Sequence, residues 1–283
     1  MGKVDAVRFN LLGPLEVQAC DRRMYVRGGR QRTLLVMLLL NANVTVSKEQ
    51  LIDEIWGERP PAQVDNALQA VATRLRRSLD SWYGPGCAKE RLGTEQSGYR
   101  LHLAEDELDL LCFEALCSEA RRLGQVDHAA ASAKLDEALA LWRGPALQGV
   151  AGGLLCRSAA TRLDEVRLLT LEEKFNLEIQ GGRYQMAVAE LCRMTILHPL
   201  HERFSEQLMI ALYRAGRTAE ALDAYRRLHT VLRTELGLDP SPVLQARMQA
   251  ILQHDMPVPN PPMAHLPAAP SSRRSRRRSG SRG

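Results

Sequence analysis

No hydrophobic run in this 283-residue chain approaches the ~20 residues that a membrane-spanning helix needs. Met1-Gly2-Lys3 is not followed by a secretory apolar region either, so the chain reads as cytoplasmic and without a membrane partner. The six cysteines, Cys20, Cys87, Cys112, Cys117, Cys156 and Cys192, include no C-x-x-C pair. That spacing points to reduced, buried thiols instead of disulfides or zinc. The loose group Cys192, His198 and His201 follows no metal-ligand pattern, and neither a metal nor a cofactor is expected. There is no G-x-x-x-x-G-K-[ST] phosphate loop, no carboxylate pair in a plausible cleft and no nucleophile beside a base. The chain does not read as an enzyme. Lysine is scarce, 5 against 33 arginines, which suggests the codon usage of a GC-rich genome.

The length allows two domains. The net charge of +5 conceals a division among three segments. Residues 1–103 hold 15 Lys/Arg against 11 Asp/Glu, residues 104–255 hold 17 against 22, and residues 256–283 hold six arginines and no acid. A basic front and an acidic middle suggest that one part meets nucleic acid and the other meets something else.

Val7, Phe9 and Leu11, then Leu15 and Val17 after Gly13-Pro14, then Met24 and Val26 alternate as strands do, predicting a small antiparallel platform. Arg30 to Asn41 reads as a buried helix. Ser47 and Gln50 form a capping box ahead of a second helix, Leu51 to Trp56, with Leu51, Ile52 and Ile55 inward. Gly57 stops it, and Pro60-Pro61 leads into a third helix, Val64 to Leu79. Arg91 to Glu95 and Tyr99 to Leu103 then read as strands joined by Gln96-Ser97-Gly98. Three helices followed by a hairpin make a winged helix-turn-helix, whose third helix enters the major groove.

At about 100° per residue, Val64, Leu68, Val71, Leu75 and Leu79 share one side of that third helix. Asn66, Ala70, Thr73 and Arg77 lie opposite, flanked by Gln69, Arg74 and Arg76. An amphipathic basic helix is most often a solvated surface helix; the order of elements around this one makes it a candidate recognition helix. Direct base readout is expected from Asn66, Gln69, Thr73 and Arg77, with Ala70 against a thymine methyl. Arg74 and Arg76 are expected on phosphates, with Arg30 and Arg32 at the start of the first helix and Arg100 on the hairpin as weaker candidates. Glu95 in the hairpin turn places an acid where a wing would meet phosphate.

From Leu110 to Gln253 the pattern is helical. Gly182, Ala187, Leu191 and Met194 recur as Gly216, Ala221, Tyr225 and Leu228, each pair 34 residues apart, the tetratricopeptide period. Gly ends one helix, the small Ala lets paired helices approach, and larger apolar residues fill the gap. Pro199 sits where such repeats turn, but Arg233 occupies the equivalent later position. An earlier, less regular pair, Phe113 to Leu123 and His128 to Trp142, ends in the Gly144-Pro145 turn, with Trp142 expected in the core and its indole N–H bonded internally. The expected fold is mainly α with a small β platform and wing, divided into a winged-helix domain at 1–103, a tetratricopeptide-like domain at 104–255 and a tail at 256–283. In the tail, Met256 to Pro270 reads as extended, and SSRRSRRRSGSRG reads either as a solvated end or as a non-specific phosphate clamp.

The segments FNLLGPLEV, GGRQRTLLVMLLLNAN, NALQAVATRLRRSL, GYRLHL, LALWRGPAL and AGRTAEALDAYRRLHTVLRTELGLDPSP together resemble the Streptomyces antibiotic regulatory proteins, the SARP transcriptional activators, over about residues 5–253. The resemblance implies an OmpR-type winged helix followed by a bacterial transcriptional activation domain, in a small, stand-alone member. It also implies two copies bound head to tail on direct repeats in double-stranded promoter DNA of a secondary-metabolite cluster. RNA polymerase would then be recruited through its sigma factor and other subunits. The rival reading is a tetratricopeptide interaction scaffold with no sequence preference on DNA, against which the three-helix order and hairpin speak.

Overall fold

The computed structural model describes residues 7–19 and 22–255. The expectations for Cys20 and for the tail at 256–283 lie outside them. Strands β1 (Arg8–Asn10), β2 (Glu16–Ala19) and β3 (Arg22–Met24) form an antiparallel sheet in that order, with Phe9 opposite Val17 and Val17 opposite Met24. This is the expected platform.

Helix α1 (Gly29–Leu40) buries every residue from Thr33 to Leu39, so it runs through the core with no solvent face along that stretch. Strand β4 (Val46–Ser47) leads into α2 (Lys48–Trp56). The capping box is formed: Gln50 N–H donates to Ser47 Oγ at 3.2 Å, and Ser47 N–H donates to Gln50 Oε1 at 3.3 Å. It starts the helix three residues before the first apolar position, because a cap fixes the terminus more sharply than periodicity does. Helix α3 (Val64–Tyr83) buries Leu68, Val71, Leu75 and Leu79 on one stripe. Truncating one of these leucines to alanine would cost roughly 2–5 kcal/mol. The helix runs past Leu79 because Trp82 extends the stripe, and it stops at Gly84, whose φ of 106° suits glycine. Arg91 closes a short helix, α4 (Ala88–Arg91), so β5 (Leu92–Thr94) begins one residue later than the pattern suggests. β5 pairs with β6 (Gly98–Leu101), and β6 also pairs with β4, giving the order β4-β6-β5. A two-residue strand such as β4 carries no readable alternation.

The second unit comprises α5 (Asp109–Leu123), α6 (His128–Ala140), α7 (Leu154–Gln180), α8 (Tyr184–Leu197), α9 (Glu202–Arg214), α10 (Thr218–Leu236) and α11 (Pro242–Leu252). The 34-residue repeat is realised in the backbone: Gly182 and Gly216 adopt φ of 76° and 77°, and Ala187 and Ala221 are fully buried. α8 ends two residues before Pro199, whereas α10 continues three residues past Arg233 to Leu236 and is capped by Gly237. Proline cannot extend a helix, and arginine can.

Two sequence expectations need correction. Trp142 is buried, edge-on to Phe113 at 5.6 Å and beneath the Arg167 guanidinium at 5.1 Å. Its indole nitrogen nevertheless finds no acceptor among the described residues, so the ring is held by aromatic and cation–π contact. Among the cysteines, Cys117 and Cys156 are buried and free, but Cys192 is exposed. It lies on α8 away from the buried stripe of Ala187, Val188, Leu191 and Met194.

The connection is exposed at Ala104, Glu105 and Asp106, but its end, Glu107 to Asp109, is buried. Leu108 is fully buried and bridges to Phe9. The Asp109 carboxylate accepts the Leu11 N–H at 2.8 and 2.9 Å and the Leu12 N–H at 2.9 Å. Burial pushes that carboxyl up from its ordinary pKa, against the pull of these N–H groups and of Arg143, 3.7 Å away. One buried cluster runs from Val7 through Leu177, and a second from Leu171 to Ile251, so α7 contributes to both. Among the described residues no helix is long and apolar enough to cross a membrane.

Candidate nucleic-acid interface

Sequence periodicity and burial agree along α3. With one stripe packed against α1 and α2, the opposite face is open: Asn66, Gln69, Ala70, Thr73, Arg74 and Arg77 are all exposed. Asn66 Nδ2 donates to Gln63 Oε1 at 3.0 Å, which steadies the amide at the start of the helix without burying it. α1 and α3 are pinned together by Gln31 Nε2 donating to Ser78 Oγ at 2.8 Å. The exposed face therefore stands on a rigid support, which base-edge recognition requires.

The arginines divide into two sets. Ion pairs in this unit join Arg23 to Glu16 (3.2 Å), Arg91 to Glu107 (2.6 Å) and Arg100 to Glu95 (3.9 Å), and among the described residues none involves Arg74 or Arg77. Arg30 is exposed and lies over the Trp56 ring at 5.6 Å, still able to present its guanidinium to an anion.

The other set turns inward. Arg76 Nε and Nη2 donate to the Leu92 carbonyl at 3.2 and 2.9 Å, and Nη2 donates to Thr94 Oγ1 at 2.7 Å. Its guanidinium also lies over the Tyr99 ring at 5.9 Å. Arg100 donates to Thr45 Oγ1 at 3.0 and 2.9 Å, and Glu95, the acid in the hairpin turn, faces it. Arg32 reaches the Gly149 carbonyl of the second unit at 3.4 Å. The structure thus brings Asn66, Gln69, Ala70, Thr73, Arg74 and Arg77 onto one face and engages Arg76, Arg100 and Arg32 within the protein.

One exposed cation escaped sequence reasoning. Arg59 is exposed in the loop between α2 and α3. Loop residues follow no period, so only the turn geometry places it. Trp56 behind Arg30 and Thr45 behind Arg100 were equally invisible, because each pairing joins separate elements.

Both units of the chain match known protein families. Residues 25–101 match the model described as "Transcriptional regulatory protein, C terminal", and residues 108–252 match "Bacterial transcriptional activator domain". The transcriptional regulator RedD of Streptomyces coelicolor is 38% identical over 93% of this chain and 73% of its own length. The regulatory protein DnrI of Streptomyces peucetius is 36% identical over 88% of this chain and 93% of its own. The regulatory protein AfsR of Streptomyces coelicolor is 41% identical over 93% of this chain, which spans only 25% of that relative's length. A solved structure of Mycobacterium tuberculosis EmbR, in complex with a low-affinity phosphopeptide, superposes with a TM-score of 0.83 at 32% identity, over 88% of this chain and 66% of that one. An OmpR-type winged helix joined to a tetratricopeptide-like activation domain places this chain in the SARP family of transcriptional activators.

Proposed function

We propose that this chain acts in the cytoplasm as a sequence-specific activator on direct repeats in promoters of a secondary-metabolite cluster. Two copies bind head to tail, and RNA polymerase is recruited through its sigma factor and other subunits. The observation that carries this reading is the open face of α3, with its hydrogen-bonding side chains and two exposed arginines on a helix whose other stripe is fully packed. Asn66, Gln69, Thr73 and Arg77 read base edges, Ala70 packs against a thymine methyl, and Arg74, Arg30 and Arg59 hold phosphates. Arg76 and Arg100 brace the wing, and Arg32 braces the second unit. The basic unit at 1–103 meets DNA, and the unit at 104–255 meets the transcription machinery.

The test is a footprint on the promoters beside its own gene, with and without RNA polymerase. Protection of a direct repeat, extended when polymerase is added, is the expected result. Protection without repeat preference would return the chain to a scaffold role. Tandem binding further requires half-sites about one helical turn apart. Inserting about half a turn between them should abolish cooperative binding, and persistence of cooperativity would overturn the paired arrangement.

A further inference from the structure

The segment ahead of α7, Gly149-Val150-Ala151-Gly152-Gly153, would by composition serve as a loose hinge. It is instead gripped by two helices of the DNA-binding unit. From α1, Arg32 reaches the Gly149 carbonyl at 3.4 Å, and Thr33 Oγ1 lies 3.2 Å from the Ala151 carbonyl, sharing its one hydrogen with the Gly29 carbonyl at the same distance. From α2, the buried Glu54 accepts the Leu155 N–H at Oε2 and the Cys156 N–H at Oε1, both at 2.9 Å.

Gly153 is the N-cap residue of α7 and has no side chain to cap it. Glu54, 101 residues upstream of Leu155, accepts the N–H groups of the second and third residues instead and places its charge at the positive end of a 27-residue helix. The fit leaves no spare room. A Cβ on Gly153 would stand 2.8 Å from Glu54 Oε2, and one on Gly152 would stand 2.3 Å from the Cys156 Cβ. Burial, then the hydrogen bond and charge of Glu54, push the Cys156 thiol up to about 12, so it adds no second anion at the joint. α7 then runs from the first buried cluster, through Cys156 and Leu163, into the second, through Phe175 and Ile179.

We propose that Glu54 is a positioning residue for transcription activation: by capping α7 from the helix that precedes the recognition helix, it fixes the bearing of the helical repeats relative to bound DNA. This rests on the polymerase-recruiting reading above. An activator must offer its promoter and polymerase surfaces together, and a swivel between them adds an ordering cost to each recruitment event. The bonds from Leu11 and Leu12 to Asp109, and from the Arg143 N–H to the Leu12 carbonyl at 2.7 Å, do not involve Glu54, so its loss loosens the start of α7 without separating the units.

The test uses the full chain with two variants. Glu54→Gln removes the charge and turns an amide donor toward one of the N–H groups. Gly153→Ala displaces the same carboxylate from the other side while leaving it in place chemically. Three quantities are measured: amide exchange across residues 151–157, affinity for a single half-site, and transcription in vitro from a promoter carrying the direct repeat. In both variants exchange at 151–157 should rise about tenfold or more, with α3 and α9 unchanged. Half-site affinity should stay within about twofold while transcription falls about fivefold or more.

Full transcription from a variant whose 151–157 amides have opened overturns the proposal. So does a parallel loss of half-site affinity, or an exchange rise throughout α3 and α9 in both variants, since either makes Glu54 a folding residue. Unchanged exchange in both variants overturns it as well. A wild-type protein that gives no repeat-dependent transcription fails earlier, and sinks the activator reading itself.

Discussion

Arg76 Nη2 stands 2.7 Å from Thr94 Oγ1 and 2.9 Å from the Leu92 carbonyl, so the side chain ties α3 directly to the β5–β6 hairpin. The neighbouring Arg74 is exposed and joins no ion pair among the described residues. Two arginines two positions apart therefore give different outcomes when removed. Arg74→Ala should weaken binding evenly on all sequences and lower the salt slope by about one counterion. Arg76→Ala should leave that slope unchanged and cost about 1–3 kcal/mol of folding stability through the unpaired Leu92 carbonyl. Fluorescence anisotropy against salt and denaturant unfolding separate the two; an equal slope change in both would place Arg76 on a phosphate.

Arg77, exposed on the open face of α3, should behave as a base reader. Arg77→Ala is expected to cost roughly 1–3 kcal/mol of binding and to relax preference at a single position. Binding selections with a randomised half-site read this directly. A loss spread evenly over every sequence would move Arg77 to the backbone contacts.

Gly98 has no room for a side chain, since a Cβ there would stand 1.8 Å from the Val46 carbonyl oxygen. Gly98→Ala should break the β4–β6 pairing and cost roughly 1–3 kcal/mol through overpacking against backbone. DNA affinity should fall on all sequences as the wing detaches. Thermal unfolding and a binding titration check both effects, and a variant with wild-type stability would contradict the register.

In the helical unit, Lys174 is buried between Asp136 at 2.7 Å and Glu190 at 2.6 Å, with Glu178 at 3.8 Å. Burial pulls its pKa down, but the hydrogen bonds to Asp136 and Glu190 overcome that pull and hold it above 10.5. Lys174→Met should destabilise the protein by about 1–3 kcal/mol, chiefly because it leaves the buried Glu178 carboxylate without its cation, while Asp136 and Glu190 keep access to solvent. The sign with pH follows from the raised value: stability from this ammonium is complete below 10.5 and is lost as pH climbs through the folded-state pKa. Denaturant unfolding at rising pH should show that alkaline loss in the wild type and not in Lys174→Met.

Much of the architecture was legible because it is periodic or locally capped. The stripe of Leu68, Val71, Leu75 and Leu79 announced both the buried and the open face of α3, and Ser47 with Gln50 announced the start of α2. The 34-residue spacing of Gly182 and Gly216 foretold two left-handed turns of almost identical φ. Such patterns depend on neighbours within one or two turns of chain, which is why the primary structure suffices for them.

What the sequence alone determined is therefore the order of elements, the face that each helix buries and the family to which the chain belongs. Only the tertiary structure decided where the charges go. It turned Arg76 and Arg100 into the wing, sent Arg32 to the Gly149 carbonyl, and set Glu54 and Asp109 as caps on backbone about a hundred residues away. An amphipathic pattern tells that a residue is buried or exposed. Which partner it meets depends on segments brought within hydrogen-bond distance by folding, and no local period encodes that meeting.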